Sequence, residues 1–405
     1  MVSKEGIQDY NNLQTPYFMI DEKELKYNIV NLKNALNKHW DNYIMGYSFK
    51  TNSLPWLIKY FKEDGFYAEV VSDDEYKLGL EVGYEQHRII YNGPIKSKET
   101  FLEAIKNRCI VNVDSQRELL WLKELETLDN EEYEIGIRVN FDLEKYCPNE
   151  SVMGVEGGRF GFCYENGELE KAIKHIESLD NISLSGLHLH CSTKTRSLNI
   201  YKAISKIACK IKRYYQLELK YIDVGGGFYG GLEDKPQFDD YLEVISKELS
   251  KEFDKESITL IVEPGTSLSS SPFSFVTSVT DIKETTANNF VTTDGSRINI
   301  DPLFNKSRYF FKVKYQDDLQ RSILKNQVVS GFTCMENDRL FELANNPRLL
   351  AGDQIIYEKV GAYTMCLSPL FIQYFPDVYV KGNNGTYKVR ARWTAKEYID
   401  HEDNK

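Results

Sequence analysis

The sequence lacks any run of about 18 consecutive apolar residues, the length that a membrane-spanning helix needs. Its first residues, MVSKEGIQDYNN, also lack the apolar core of a secretory signal. We therefore expect a cytoplasmic protein without a membrane partner.

Paired cysteines and positive charge are scarce as well. The seven cysteines include no CxxC pair, which argues against a disulfide framework and against a zinc knuckle. Lys and Arg total 50 against 61 Asp and Glu, which gives a net charge of −11. Because binding to nucleic acid depends on cationic contacts with phosphates, we expect no nucleic-acid partner.

Bulky apolar residues, in contrast, are plentiful. Of the 405 residues, 41% are hydrophobic, and the chain contains 27 Tyr and 21 Phe. This composition is sufficient for a sizeable core, and the length predicts two or three domains or one large barrel with an accessory domain.

Before residue 270, eight short β-rich runs alternate with stretches of helical periodicity. Successive runs start roughly 20 to 50 residues apart, which leaves room for the helical crossover that parallel strands need. Eight such units predict an α/β fold of the (β/α)8 TIM-barrel type, although an open doubly wound sheet remains the alternative on periodicity alone. The runs cover 43–50, 66–72, 88–93, 109–114, 134–140, 183–190, 221–227 and 260–265.

The last third of the chain shows short strands and turns without regular helices, which indicates a separate all-β domain. A strand-like segment at 15–21 could pair into this domain from the other end of the chain. We therefore predict a barrel at 25–270 and a sandwich-like or barrel-like β domain formed by 1–24 and 271–405. The strands predicted in the β domain are 275–279, 289–293, 309–313 and 378–380.

Unusual residues lie at the ends of the predicted strands, which open on one face of a barrel. Lys50 ends the first run and is either a solvated rim residue or a lysine that forms a Schiff base. The glycines 225–227 could cradle a phosphate or form a tight turn. Glu263 precedes Pro264 and Gly265 at the end of the eighth run, where a buried carboxylate needs a cationic partner such as a protonated pyridine nitrogen.

His188 and His190 lie two residues apart and share one face of a strand. This spacing is compatible with metal ligation or with one imidazole stacking on a flat ring. Because no carboxylate or cysteine stands at ligand spacing beside them, we expect no metal site.

Motifs along nearly the whole chain resemble those of the fold-type III pyridoxal-phosphate (PLP) decarboxylases, the family of diaminopimelate and ornithine decarboxylases. They occur in the family's order, which makes the resemblance far more specific than any one motif. The matching segments are 47–52 (YSFKTN), 69–75 (EVVSDDE), 91–96 (YNGPIK), 158–161 (GRFG), 186–190 (GLHLH), 225–227 (GGG), 334–338 (CMEND) and 361–364 (GAYT).

The resemblance implies an alanine racemase-like barrel with a C-terminal β domain, pyridoxal 5'-phosphate as cofactor, and a homodimer with shared active sites. It implies a catalytic set in which Lys50 binds the cofactor covalently, Glu263 pairs with the pyridine nitrogen, His190 stacks on the ring, and Cys334 donates a proton across the interface. Further cofactor contacts are implied for Glu69, Thr193, Gly225, Gly226, Gly227, Gly265, Thr266 and Tyr363. Substrate contacts are implied for Arg159, Glu336, Asp338 and Tyr363.

Three positions depart from the family pattern. Thr266 stands where the family usually has Arg, which in the diaminopimelate enzymes contributes to carboxylate recognition. Met335 stands where those enzymes tend to have Glu, and residues 191–193 read Cys-Ser-Thr where the family favours a Gly-Ser pair. Together these changes suggest an altered substrate pocket around retained PLP chemistry.

The sequence therefore predicts a PLP-dependent decarboxylase that releases carbon dioxide from an amino acid. The expected substrate is a basic or diamino acid, such as diaminopimelate, ornithine or lysine, or a derivative of one. An amino-acid racemase is the nearest alternative, although the Cys334 and Asp338 element belongs to the decarboxylase pattern. The other alternative is a non-catalytic PLP-binding relative, which would be free to lose Lys50 and Glu263.

Overall fold

The computed structural model describes residues 13–128 and 131–400. The chain divides into two compact units, a barrel unit of residues 29–267 and a β unit of residues 1–28 and 268–405. The first described strand, β1 (Tyr17–Asp21), lies in the β unit, and helix α1 (Glu22–His39) continues from there into the barrel unit.

Eight parallel strands form the barrel. They are β2 (Tyr43–Ser48), β3 (Tyr67–Ser72), β4 (Ile89–Ile95), β5 (Ile110–Val113), β6 (Tyr133–Asn140), β8 (Ile182–His188), β9 (Tyr221–Asp223) and β10 (Thr259–Val262), and a short β7 (Phe162–Cys163) also pairs with β6. Neighbouring strands follow the order β5-β4-β3-β2-β10-β9-β8-β6. Pairing between β5 and β6 closes the circle and excludes the open doubly wound sheet.

Apolar periodicity explains these elements. In β10 the consecutive residues 260–262 are all buried, as in a strand that is covered on both faces. Helix α7 (Glu168–Glu177) buries Leu169, Ala172, Ile173 and Ile176, which lie on one helical face. The other helices of this unit are α2 (Pro55–Glu63), α3 (Asp73–Glu81), α4 (Lys98–Lys106), α5 (Gln116–Leu128), α6 (Leu143–Tyr146), α8 (Leu198–Tyr215) and α9 (Phe238–Leu249).

The β unit contains a nine-stranded sheet. Besides β1, its strands are β11 (Phe273–Glu284), β12 (Asn289–Thr293), β13 (Phe310–Lys314), β14 (Ile323–Ser330), β15 (Arg339–Pro347), β16 (Gln354–Glu358), β17 (Asp377–Gly382) and β18 (Gly385–Arg390). The main order is β15-β14-β12-β11-β1-β17-β18, while β16 pairs with β11 and β13. Short helices α10 (Thr266–Ser269), α11 (Arg297–Ile300) and α12 (Ala395–Ile399) complete the chain.

The structure confirms the predicted fold class, with a closed barrel and a mostly β second part. The segment predicted to pair from the other end of the chain does so, because β1 lies antiparallel to β11 and parallel to β17. The strand predicted at 221–227 is wrong at its end, since β9 stops at Asp223 and Gly225 and Gly227 take φ values of +70° and +91°. No helix among the described residues combines the length and apolar character that crossing a membrane requires.

Candidate active site

The carboxyl ends of the barrel strands bring ionisable side chains to one face of the barrel. Lys50 lies in a 3-10 turn directly after β2, Glu69 lies in β3, and Glu263 directly follows β10. Ser48 pairs with Glu69 across the sheet, and β2 also pairs with β10. The fold thereby brings together three residues that are far apart in the sequence.

An ion pair and a shared amide link Lys50 to Glu263. The Nζ atom of Lys50 lies 3.2 Å from Glu69 Oε2. The side-chain amide of Asn92 donates to Glu69 Oε1 at 3.0 Å and to Glu263 Oε1 at 2.6 Å. The side chain of Lys50 is 38% exposed, whereas both carboxylates are buried, so the amine is accessible while its acidic partners are not.

Glu263 also belongs to a buried cluster with Asp223 and His188. One possible ligand atom from each residue lies within 4.8 Å of the others, and His188 Nε2 is 3.6 Å from Glu263 Oε2. Burial, reinforced by the charge of Glu263, raises the pKa of Asp223 well above its usual value. Burial also acts to raise the pKa of Glu263, but His188, Asp223 and Lys50 outweigh it and hold that pKa well below its usual range. Of these two interacting carboxyl groups, Asp223 therefore holds a proton more tightly than Glu263 does.

The same cluster has the composition of a cation site. One imidazole nitrogen and two carboxylate oxygens are ligands that zinc accepts in proteins. The sequence-based expectation of no metal site considered only the neighbourhood of His188 along the chain. The barrel brings Asp223 and Glu263 to His188 from two other strands, and the expectation of no metal site stays a prediction.

His190 and the glycine run lie side by side. The backbone N–H of Gly226 donates to His190 Nδ1 at 3.3 Å. Burial, and then the charge of Lys50, holds the pKa of His190 well below its usual value, so the residue is a neutral, flat ring. A Cβ atom on Gly225 would lie 2.5 Å from His190 Nδ1, and one on Gly226 would lie 2.1 Å from the Glu263 carbonyl oxygen. Only glycine permits this close approach.

Three other residues predicted to contact the cofactor lie in the barrel unit outside its eight strands. A Cβ atom on Gly265 would lie 2.0 Å from Thr51 Oγ1, so the loop after β10 passes close to the turn that carries the lysine. Thr266 is half-buried and begins α10, and it supplies no cation where the family usually has Arg. Thr193 is half-buried, and its backbone forms an isolated β-bridge with Ser151.

A cavity of about 270 Å³ lies beside His190 and the loop of residues 151–160. Its lining includes Arg138, Arg159 and Phe160, and the two guanidinium groups lie 4.7 and 4.2 Å from the centre of the Phe160 ring. Arg138 also forms an ion pair with Asp114 at 3.1 Å and contacts the His190 carbonyl oxygen at 3.4 Å. The cavity thus offers two cations and an aromatic ring next to the histidine.

Asp338 is buried within the β unit, and several donors contact its carboxylate. It accepts hydrogen bonds from Ser296 Oγ at 2.8 Å, Arg297 N at 2.9 Å and Thr333 Oγ1 at 2.6 Å. These bonds fix the segment that carries Cys334, so Asp338 has a structural role here. Its contact with a substrate stays a prediction.

The remaining predicted residues of the β unit are accessible. Cys334 is exposed, and the side chain of Glu336 is 99% exposed, 3.6 Å from Arg339. Tyr363 is 41% exposed and has a φ of +54°. These groups are free to meet another molecule, and their roles stay predictions.

Sequence reasoning missed Asn92 and Asp223 as site residues, although both stood in segments that it considered. Asn92 directly follows the buried apolar run 89–91, and Asp223 lies two residues before the first glycine of the run 225–227. A polar side chain inside a buried strand requires a partner, which is the signal that could have identified both.

Comparisons with known proteins identify the family and similar folds. The family model for the pyridoxal binding domain of pyridoxal-dependent decarboxylases matches residues 26–270. A probable chloroplastic diaminopimelate decarboxylase of Oryza sativa is 24% identical over 96% of this chain and 80% of its own length. The crystal structure of diaminopimelate decarboxylase from M. jannaschii in complex with L-lysine has a TM-score of 0.84 at 22% identity, over 95% of this chain and 91% of that one. An arginine decarboxylase from Paramecium bursaria Chlorella virus has a TM-score of 0.75 at 19% identity, over 92% and 97% of the two chains.

Proposed function

The chain belongs to the family of pyridoxal-dependent decarboxylases, and from this premise we propose that it removes carbon dioxide from a basic or diamino acid. The observation that carries the proposal is the linked set of Lys50, Glu69, Asn92 and Glu263, in which an accessible amine and a buried anion meet at one face of the barrel. The named relatives are diaminopimelate and arginine decarboxylases, which supports a substrate with a basic or amino-bearing side chain. They do not favour a racemase or a non-catalytic role.

The residues at this face fit pyridoxal 5'-phosphate. Gly225 and Gly226 leave a concave backbone surface that any Cβ atom would fill, as expected where the main chain approaches a phosphate. Glu263 offers an anion for the pyridine nitrogen, and Lys50 offers the amine for the aldehyde carbon. His190, Gly227, Gly265, Thr266 and Thr193 complete the proposed contacts of the barrel unit.

When bound, the cofactor supplies an electron sink for the electron pair that the departing carboxylate leaves behind. Glu263 holds a fixed negative charge in a water-poor site, where it stabilises positive charge on a neighbouring nitrogen. The neutral ring of His190 presents a flat face without competing for that charge. Glu69 keeps the amine of Lys50 in place through their ion pair.

We assign the proton that replaces carbon dioxide to the exposed thiol of Cys334. By the resemblance, this thiol comes from a second copy of the chain, together with Tyr363 and Glu336. A homodimer is supported by a run of exposed apolar side chains, the kind of surface that protein interfaces cover. This run in the β unit comprises Leu367, Leu370, Phe371 and Ile372.

The test is release of carbon dioxide by the purified, PLP-loaded protein from diaminopimelate, lysine, ornithine, arginine and carboxylated polyamine precursors. Lys50→Ala should abolish turnover and also the visible absorption of lysine-bound cofactor. Lys59→Ala, an exposed lysine of α2, is the matched control and should change neither. Turnover by Lys50→Ala at the wild-type rate would refute the assignment.

A further inference from the structure

Buried polar side chains form one hydrogen-bonded chain across the barrel interior. The hydroxyl of Tyr221, from β9, donates to Asn112 Oδ1, from β5, at 2.9 Å. The amide of Asn112 donates to Asn92 Oδ1, from β4, at 2.8 Å. Asn92 then donates to Glu69 and Glu263. β9 and β5 are not neighbours in the sheet, so Tyr221 spans the interior to reach Asn112.

This chain fixes the orientation of the Asn92 amide. A tyrosine hydroxyl that donates to Asn112 requires the oxygen of that amide to face it. The nitrogen of Asn112 then faces Asn92 and requires an oxygen there. The nitrogen of Asn92 is thereby directed at the two carboxylates, and each of its two N–H groups meets one of them. A reversed amide would point its oxygen at two carboxylates and lose every one of these bonds.

The barrel leaves room for Tyr221 by omitting two side chains. A Cβ atom on Gly136 would lie 2.0 Å from the Tyr221 hydroxyl oxygen, and one on Gly186 would lie 2.0 Å from its ring carbon Cζ. Glycine in a strand interior is usual where another group must approach the backbone closely. Strands β6 and β8 thus each lack a side chain where the Tyr221 side chain lies. This arrangement indicates that the position of the Tyr221 hydroxyl matters.

The two carboxylates need such a donor. Glu69 and Glu263 are 1% and 4% exposed, and both accept from the same nitrogen atom, so two like charges lie close together out of water. Burial of charged groups is unfavourable unless partners offset it. Lys50 contacts Glu69 and His188 contacts Glu263, whereas Asn92 contacts both carboxylates.

We propose that Asn92, oriented by Asn112 and Tyr221, is a positioning residue that holds the Glu69 and Glu263 carboxylates at a fixed separation and offsets their repulsion. One side chain then couples the position of Glu69, the ion-pair partner of Lys50, to the position of Glu263. The inference rests on the proposed function for its catalytic meaning, but the hydrogen bonds lie within the protein and can be tested without cofactor.

The first test is thermal unfolding of the full chain without cofactor, wild type against Asn92→Ala, at pH 5 and pH 8. Without the shared donor, at least one carboxyl should hold its proton more tightly in the folded chain than in the unfolded chain. The variant's loss in Tm should therefore be larger at pH 8 and smaller at pH 5, where that carboxyl is protonated. An equal loss at both pH values would overturn the proposal.

Tyr221→Phe provides a gentler test, because it removes one hydroxyl and leaves the ring in place. It should reproduce the direction of the Asn92→Ala result at reduced size. Tyr84→Phe is the matched control, since the Tyr84 hydroxyl is also buried in the barrel unit but donates to the Ile58 carbonyl oxygen. If the two tyrosine variants showed the same pH dependence, the orienting role of Tyr221 would be refuted, even if Asn92→Ala fails to fold.

The PLP-loaded enzyme gives the catalytic readout. For Tyr221→Phe the acidic limb of the kcat/KM profile should move upward by up to about one pH unit, the upper limit for loss of one hydrogen bond between neutral groups, because the lost bond is to the Asn112 amide and acts on the carboxylates only through Asn92. An unmoved limb would contradict the proposal. A wild type inactive on every amino acid would refute the proposed function alone, because the unfolding experiment would still report on Asn92.

Discussion

Glu75 is a carboxyl group whose burial disfavours its charged form. Its Oε2 atom accepts from the backbone N–H of Val71 at 2.9 Å, and its own N–H donates to Ser72 Oγ at 3.2 Å. Burial, with a further contribution from the charge of Glu69, raises its pKa from 4.5 to about 7. The folded chain thus holds a proton that the unfolded chain releases between pH 4.5 and 7, so stability falls across this window and stays lower above it.

Glu75→Gln should remove this penalty while keeping the bond from Val71. At pH 8 we expect the variant to be more stable than the wild type by about 1 to 2 kcal/mol, and at pH 4 the difference should vanish, because Glu75 is then protonated in both states. Chemical denaturation without cofactor at the two pH values measures the difference. Glu63→Gln, at an exposed position of α2, is the control and should show no such trend. A Glu75→Gln variant less stable than wild type at pH 8 would contradict the argument.

The element that matters most at the site is the turn after β9. Gly225 takes a φ of +70° there, and any Cβ atom would meet both Nδ1 and Cβ of His190 at 2.5 and 2.6 Å. Gly167, before α7, has a similar φ of +84° but nothing within 4 Å of an added Cβ. Comparing substitutions at these two glycines therefore distinguishes the effect of an unfavourable φ from the effect of a steric clash with His190.

Gly225→Ala and Gly167→Ala should each lose about 1 kcal/mol of stability from the unfavourable φ. Only Gly225→Ala should also bind PLP more weakly, by about tenfold or more, because His190 must move to make room for the methyl group. Titration of each purified variant with PLP, followed by absorption, measures this difference. Equal PLP affinity in the two variants would show that the turn does not hold the cofactor.

The elements were more predictable from the sequence than the contacts between them. Parallel strands read as short apolar runs, so the eight barrel strands were recognisable, and Lys50 and Glu263 were recognisable at their ends. Asn92 was not, because its two acceptors lie 23 and 171 residues away and depend on the register of three strands. The same holds for Asp223, whose meaning depends on Glu263 and His188. Periodicity predicts an element, but it does not predict which buried polar atoms meet.

At the scale of the whole molecule, the proposed chemistry involves residues of both units. Lys50 lies in the barrel unit, whereas Cys334 lies in the β unit, in a segment fixed by Asp338. We propose that the complete site draws these residues from two copies of the chain. Because the net charge of −11 opposes the approach of two copies at long range, we expect the proposed association to depend on apolar contacts.

Mixing two inactive variants tests this arrangement. Lys50→Ala and Cys334→Ala should each show little turnover alone. If each site uses Lys50 of one copy and Cys334 of the other, random exchange of equal amounts makes half the dimers mixed, each with one intact site, which restores about a quarter of wild-type activity. The control mixes Cys334→Ala with Cys163→Ala, which removes a barrel-unit thiol that has no assigned role. This mixture should show no more activity than the Cys163→Ala protein contributes by itself. If mixing Lys50→Ala with Cys334→Ala gave no recovery despite proven subunit exchange, both residues would have to act within one chain.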